Sequence, residues 1–129
     1  MNFIEASIEF YFKGVRHTPS AVIELDACMH HRDLTVFFYH HLASENGIGS
    51  HTYEFDMMVM EEISFSNPSG LATEFFNEGR FDAEGFRERW LKENIVDILQ
   101  PIASQHLGID NLNDHPNVKA ALIAAYQAK

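Results

Sequence analysis

The sequence predicts an α+β fold, in which helices cover one face of a small antiparallel sheet of about three strands. Apolar and polar residues alternate along 3–13 and again along 53–65, a period that is typical of strands with one buried and one exposed face. After Ser66 the apolar residues recur with helical spacing. Together these patterns predict the element order β-β-α-β-α-α-α.

The first two strands are predicted over residues 3–13 and 21–27, with Gly14 and a stretch of turn-forming residues between them. Because sequential strands usually pair, we expect them to form a hairpin. A helix is then predicted from Asp33, which is a typical N-cap, to a stop at Gly47.

The third strand is predicted over residues 52–65 and is long for one strand, so we expect a bend near Glu61 and Glu62. A helix over 53–60 is the alternative, which the methionine and glutamate content favours. On a continuous strand Glu61 would fall on the apolar face, where burial would raise the pKa of its carboxyl and mark a functional acid. A bulge that turns this side chain outward is the alternative interpretation.

Three helices are predicted in the rest of the chain. A short one covers residues 71–78, and a long one over 83–107 begins at an N-cap, Asp82. A hydrophobic staple of Phe81 and Phe86 supports this start. The last helix opens at Pro116 and is expected to bury Val118, Ala121, Leu122 and Ala125.

Length and composition indicate one domain over residues 1–129, with a sheet half at 1–66 and a helical half at 67–129. The single cysteine, Cys28, cannot form an intramolecular disulfide, which suits a reducing compartment. The N-terminal residues do not resemble a signal peptide, and no stretch approaches the roughly 18–20 apolar residues of a membrane span. We therefore expect a cytoplasmic protein.

The net charge of −10 disfavours binding to nucleic acid or to an anionic membrane. The charge is uneven, since residues 1–66 carry ten acidic and three basic residues and residues 67–129 carry nine and six. The ordinary interpretation of this acidic surface is solubility. The alternative is a surface for a basic protein partner.

Histidines are the residues that most suggest chemistry, because six of the eight lie between positions 17 and 51. If the second strand continued to residue 30, alternation would place Asp26, Cys28 and His30 on one face. A carboxylate, a thiolate and an imidazole are suitable ligands for zinc or copper. The zinc hypothesis therefore names five residues, Asp26, Cys28, His30, His31 and His41. The alternative is a buried cysteine flanked by solvated polar residues.

Two further hypotheses concern the first helix. His41 borders its apolar stripe, and Glu45 lies four residues later, where it could orient the imidazole for acid–base chemistry or as a metal ligand. The alternative is an ordinary exposed pair. Separately, aromatic and methionine residues could line an apolar ligand pocket, for which the candidates are Phe37, Phe38, Met57 and Trp90. The alternative is that these side chains are ordinary members of the hydrophobic core.

No motif in the sequence identifies a reaction. A Gly-x-Ser-x-Gly elbow is absent, and the Gly-x-Gly at residues 47–49 lacks the third glycine of a dinucleotide-binding loop. The sequence leaves enzymatic activity open and leans against it. We predict a non-enzymatic protein-interaction module that acts as a homodimer, since free strand edges invite pairing. The alternatives are a small-ligand-binding domain and a metal-binding protein or metal-dependent hydrolase.

Overall fold

A three-stranded antiparallel sheet confirms the predicted α+β class. In this computed structural model, which describes residues 1–128, strand β1 (Phe3–Ser7) lies between β4 (Ser20–Glu24) and β5 (Ser64–Ser69). Ile4 of β1 pairs with Ile23 of β4, and both side chains are buried on the face that helices cover. The alternation of apolar and polar residues along β1 therefore corresponds, as predicted, to one buried face and one more exposed face.

The chain divides into two compact units. The N-terminal unit is Met1–Arg87 and contains the sheet; the C-terminal unit begins at Glu88. The sequence predicts the change from a sheet half to a helical half earlier, between residues 66 and 67.

The first predicted strand is two strands in the structure. After β1, strand β2 (Phe10–Phe12) pairs with β3 (Val15–His17) in a separate hairpin. Lys13 and Gly14 at its tip both have positive φ, 53° and 76°, as a two-residue type I′ turn requires. The predicted pairing of the first and second strands is confirmed for β1 and β4, with this hairpin inserted between them.

The second predicted strand ends at Glu24, because residues Leu25–Cys28 form a one-turn helix, α1. Helix α2 (Leu34–Glu45) then confirms the predicted helix and its cap, since the Asp33 carboxylate accepts a hydrogen bond from the Val36 amide at 3.2 Å.

The third predicted strand is wrong over most of its length. Tyr53–Met58 forms helix α3, the alternative interpretation, and the Thr52 hydroxyl caps it by accepting a hydrogen bond from the Phe55 amide at 3.2 Å. Strand β5 begins only at Ser64. Glu61 lies exposed between the two elements, so it is neither an inward carboxylate nor part of a bulge.

The predicted short helix at 71–78 is also wrong in its second half. A 3₁₀ helix covers Gly70–Phe75, and β6 (Phe76–Asn77) and β7 (Arg80–Phe81) then form a hairpin. Glu78 and Gly79 at its tip have φ values of 47° and 83°, so this turn repeats the geometry of the β2–β3 turn.

The long helix α4 (Ala83–Leu107) has the predicted bounds. The Asp82 carboxylate accepts a hydrogen bond from the Gly85 amide at 3.0 Å, and the Phe81 and Phe86 rings lie 5.7 Å apart, which confirms both the cap and the staple. The boundary between the two units falls within this helix.

The C-terminal unit has an aliphatic core. It contains most of α4, a 3₁₀ turn at Leu112–Asp114 and helix α5 (Pro116–Gln127). Its buried cluster consists of Ile95, Leu99, Ala103 and Leu112. The predicted inward face of α5 is partly wrong, because Val118 and Leu122 pack against this cluster whereas Ala121 and Ala125 are exposed. No helix within residues 1–128 combines the length and apolar character that crossing a membrane requires.

Candidate functional site

Two carbonyls on the outer edge of β4 have side-chain partners from α2 and from its C-cap residue. The Asn46 amide nitrogen donates a hydrogen bond to the Ser20 carbonyl at 3.0 Å, and the His41 Nε2 atom lies 3.4 Å from the Val22 carbonyl. These carbonyls would otherwise be open to another strand.

One amide on the outer edge of β5 is paired as well. The Phe65 amide donates a hydrogen bond to the Gly79 carbonyl at 2.9 Å, at the turn of the β6–β7 hairpin. Pro68 in the same strand has no amide hydrogen to offer. These edge groups therefore already have partners within the chain, and the homodimer that we predicted from free strand edges stays a prediction.

The predicted metal ligands do not share a face. Asp26 and Cys28 belong to helix α1, where residues two apart diverge by about 200°. The Asp26 carboxylate instead accepts hydrogen bonds from the backbone and side-chain amides of Asn2, at 2.9 and 2.8 Å. Among residues 1–128 no group of three or more histidine, cysteine, aspartate or glutamate side chains is placed to hold a metal ion.

Cys28 is a buried thiol. Its sulfur donates to the Leu25 carbonyl at 3.4 Å, and burial raises the pKa of the thiol to about 11. Since the thiolate is the form that ligates metals and attacks electrophiles, Cys28 is unsuited to either role near neutral pH.

His30, His31 and His41 form a column of aromatic contacts with Phe37, stacked at Phe37 and tilted between His30 and His31. The ring centroids of His30 and His31 lie 4.3 Å apart, those of His31 and Phe37 4.4 Å, and those of Phe37 and His41 5.5 Å. His41 contacts the Val22 carbonyl, and no ion pair joins it to Glu45, so the predicted orienting contact is not formed in the described chain. The column is packing rather than a chelating arrangement.

The four predicted pocket residues have different environments. Phe37 belongs to the column, and Phe38 is buried in the core, where it also lines a groove between α2, β5 and the β6–β7 hairpin. Met57 is exposed on α3, and Trp90 lies half-buried on α4 in the C-terminal unit. Phe38 is thus among the residues that line this groove, and the predicted ligand pocket stays a prediction.

A histidine–glutamate contact escaped the sequence analysis. The His17 Nδ1 atom lies 3.7 Å from a Glu54 carboxylate oxygen, and the His17 ring stacks on Phe10 at 5.0 Å. They border a cleft of about 190 Å³. The pairing depends on α3 packing against the β2–β3 hairpin, and no local sequence signal connects these distant residues.

The N-terminal unit has an exposed apolar face on α3 and the turn that follows it. Tyr53, Met57 and Met60 are 81%, 45% and 78% exposed. Their spacing of four and then three residues places them on one face of a helix. The Met60 amide donates to the Met57 carbonyl at 3.3 Å, so the backbone turn that carries Met60 continues the helix. We call these three residues the methionine face.

Acidic residues surround the methionine face. Residues 51–66 carry four acidic residues and no lysine or arginine. Asp56 and Glu61 are both exposed, and neither carboxylate has a hydrogen-bond or ion-pair partner within residues 1–128. An apolar patch with an acidic border is a surface for an apolar ligand or protein segment that also carries positive charge.

A second concave feature lies between α2, β5 and the β6–β7 hairpin. This groove has a volume of about 370 Å³. We call it the Arg80 groove; its lining residues are Thr35, Phe38, Tyr39, Glu62, Ile63, Phe65, Arg80, Phe81 and Ala83. Its aromatic lining residues contact one another, with ring centroids 5.7 Å apart for Phe38 and Phe65 and 5.5 Å for Phe65 and Phe81.

Comparison of the chain with protein-family models, with curated proteins and with solved structures gives no match. The geometry of these surfaces is therefore the basis for assigning a function.

Proposed function

We propose that this protein is a non-enzymatic interaction module whose methionine face binds a basic amphipathic segment of a partner protein. The observation that carries the proposal is the exposure of Tyr53 and Met57 on the capped helix α3 and of Met60 in the turn that follows it. A contiguous apolar patch of this kind is a common mark of a protein-binding surface.

The chemistry of the methionine face supports a protein segment as its occupant. Methionine side chains are flexible and polarisable, so they adapt to partner side chains of different shapes. Tyr53 adds a large ring with a polar tip, which is enriched at protein interfaces. An amphipathic helix supplies the matching apolar stripe in a recurring mode of recognition.

The charge of the N-terminal unit supports a basic partner. This unit carries fourteen acidic and five basic residues. Asp56 and Glu61, whose exposed carboxylates have no partner among residues 1–128, are next in sequence to Met57 and Met60. Such a field accelerates association with a cationic segment and repels an anionic one. A second copy of this chain, with the same net charge of −10, meets that repulsion. A reducing, cytoplasmic location fits the proposal because the single cysteine forms no intramolecular disulfide.

The proposal is tested with a fluorescent peptide of leucine and lysine patterned as an amphipathic helix, measured by anisotropy at low salt. The control peptide has the same composition in an order that gives no apolar face. We expect the patterned peptide to bind at least about tenfold more tightly, and the variant Met57→Gln/Met60→Gln to lose about that factor, which corresponds to ~1.4 kcal/mol.

A matched protein control is Val36→Gln, because Val36 is also an exposed apolar residue, 50% accessible, but lies on α2. Its binding should equal that of the unmodified protein. Equal affinity for the two peptides, or unchanged affinity in the Met57→Gln/Met60→Gln variant, would overturn the proposal.

The predicted homodimer is tested by the mass of the unliganded protein in solution, by light scattering. A monomer leaves the methionine face open for another protein. A dimer that the Met57→Gln/Met60→Gln variant dissociates would place a second copy on this face and would contradict the assignment to a basic partner.

A further inference from the structure

We propose that the Arg80 groove binds a large apolar α-amino acid, with its carboxylate on Arg80, its ammonium group on Glu62 and its side chain against the aromatic lining. This site is separate from the methionine face and does not depend on the proposed function.

The lining of the groove is suited to an apolar side chain. Phe38 is 2% exposed, and the Phe81 ring lies 5.7 Å from the buried Phe86, so these rings are held in place by the core of the N-terminal unit. The groove volume of about 370 Å³ falls in the lower part of the range of about 300–1,000 Å³ for ligand sites. A small ligand with one aromatic or branched aliphatic group matches this size.

Arg80 supplies an uncommitted guanidinium. It is exposed on β7, where its backbone pairs with Asn77, and its side chain forms no hydrogen bond or ion pair with residues 1–128. By contrast, Arg16 and Arg87 pair with Glu9 and Glu84 at 3.0 and 2.9 Å. A free guanidinium in so acidic a unit is available for a bidentate contact with a ligand carboxylate.

Glu62 supplies the opposite charge in the same groove. Its carboxylate has no ion-pair partner among residues 1–128, and in particular it does not pair with Arg80. Two opposite charges that line one groove without neutralising each other leave room for a ligand that carries both complementary charges.

Tyr39 fixes the segment that carries Glu62. Its hydroxyl donates a hydrogen bond to the Glu61 carbonyl at 2.7 Å. Partial burial, and then the negative charges of Glu62 and Glu61, raise the pKa of Tyr39 above its ordinary value, so the hydroxyl keeps the proton that it donates. The position of Glu62 beside the groove is thereby tied to α2.

These features select one class of ligand. A ligand with a carboxylate but no ammonium group would leave Glu62 unpaired and would place a second negative charge beside it. A ligand with an ammonium group but no carboxylate would leave Arg80 unpaired. A zwitterion satisfies both groups, and the aromatic lining favours an apolar side chain over a polar one. Large apolar α-amino acids combine all three properties.

The experiment is a titration of the intact, isotopically labelled protein followed by amide NMR, with three probes. L-phenylalanine carries both charges, 3-phenylpropionate lacks the ammonium group, and 2-phenylethylamine lacks the carboxylate. We expect L-phenylalanine to shift amide signals of residues that line the groove, and each single-charge analogue to bind about tenfold more weakly, as for loss of one charge-assisted contact of ~1.4 kcal/mol.

Two variants assign the two contacts. Arg80→Gln should weaken binding of L-phenylalanine and 3-phenylpropionate and leave 2-phenylethylamine unchanged, and Glu62→Gln should show the opposite pattern for the two analogues. Arg16→Gln is the matched control, because Arg16 is an exposed arginine paired with Glu9 on the β2–β3 hairpin, and it should bind as the unmodified protein does.

Absence of groove shifts with L-phenylalanine at millimolar concentration would overturn the inference. Equal effects of Arg80→Gln and Glu62→Gln on both analogues would overturn it too. The Met57→Gln/Met60→Gln variant should bind L-phenylalanine normally, so failure here and failure of the proposed function are distinguishable.

Discussion

The two units of this protein are built from different residues. The N-terminal unit contains all eleven phenylalanines, six of the eight histidines, and fourteen acidic against five basic residues. The chain from Glu88 onward has no phenylalanine and carries five acidic and four basic residues. Aromatic packing and excess negative charge therefore occur together in the first unit, and both surfaces for which we propose ligands lie there.

The cores differ in the same way. In the N-terminal unit Phe86 is fully buried and its ring lies 6.1 Å from that of Phe75 in an edge contact. In the C-terminal unit the core consists of aliphatic side chains between helices, with Leu99 at 4% exposure. Rings have few rotatable bonds and rigid shapes, so an aromatic core can hold groove walls in place more firmly than an aliphatic one.

The strongest test of this comparison is removal of a buried ring. Phe86→Ala should lower the free energy of unfolding by ~3–5 kcal/mol, because it removes a fully buried aromatic side chain and leaves a cavity. Urea denaturation measures the change. Phe86→Leu, which preserves most of the volume, is the control and should cost no more than ~1.5 kcal/mol. A loss below ~1 kcal/mol for Phe86→Ala would contradict the central position of this ring.

The matching change in the aliphatic core is Leu99→Ala. It should lower the free energy of unfolding by ~2–4 kcal/mol, since Leu99 belongs to the buried cluster of the C-terminal unit. Ala121→Ser on the exposed side of α5 is the control and should stay within ~0.5 kcal/mol. Equal effects of these two substitutions in urea denaturation would contradict the described packing of the two helices.

Because the Cys28 thiol is buried, we expect the free energy of unfolding to fall at high pH. Burial raises the pKa of the folded thiol to about 11 from an ordinary value of 9.0. Between these values the unfolded chain loses the proton and the folded chain keeps it, so stability is complete below about pH 9 and falls as the pH rises toward 11. The loss should be about 2 kcal/mol. Urea denaturation at pH 8 and at pH 10.5 should show this loss of stability for the unmodified protein. The Cys28→Ala variant should lose less stability over the same pH interval. Identical losses in the two proteins would exclude Cys28 as the cause.

Loss of the cap on α3 should have the smallest effect on stability. Thr52→Ala removes the hydroxyl that accepts from the Phe55 amide and should cost ~1 kcal/mol. Because the methionine face depends on this short helix, binding of the leucine–lysine peptide should weaken as well. Thr52→Ser keeps the hydroxyl and should restore both properties. If the Thr52→Ala variant binds the peptide with full affinity, binding at the methionine face does not depend on the α3 cap.

The residues that mark helix ends were the most predictive part of the sequence. The caps at Asp33 and Asp82 and the Phe81–Phe86 staple identified α2 and α4 correctly, because each depends on a few neighbouring residues. The two hairpins escaped prediction, although both turns place a glycine after a charged residue with positive φ. Apolar alternation continues across the break between β1 and β2 and so cannot locate it.

The misassigned strand at 53–58 coincides with the proposed binding surface. Sequence patterns identify elements on the assumption that apolar residues are buried. Tyr53 and Met57 violate that assumption because they are exposed on α3. The two opposite charges of the Arg80 groove were unpredictable for another reason, since Glu62 and Arg80 line the same groove only because the β6–β7 hairpin lies beside β5.

The most direct test of the central claim is methyl NMR of the protein labelled with ¹³C at its methionine methyl groups, titrated with the amphipathic leucine–lysine peptide. Met57 and Met60 are exposed, whereas Met29 and the adjacent Met58 are buried and serve as internal references. We predict that the Met57 and Met60 methyl signals shift with the peptide while those of Met29 and Met58 stay in place. Unchanged Met57 and Met60 signals at saturating peptide would contradict binding at the methionine face.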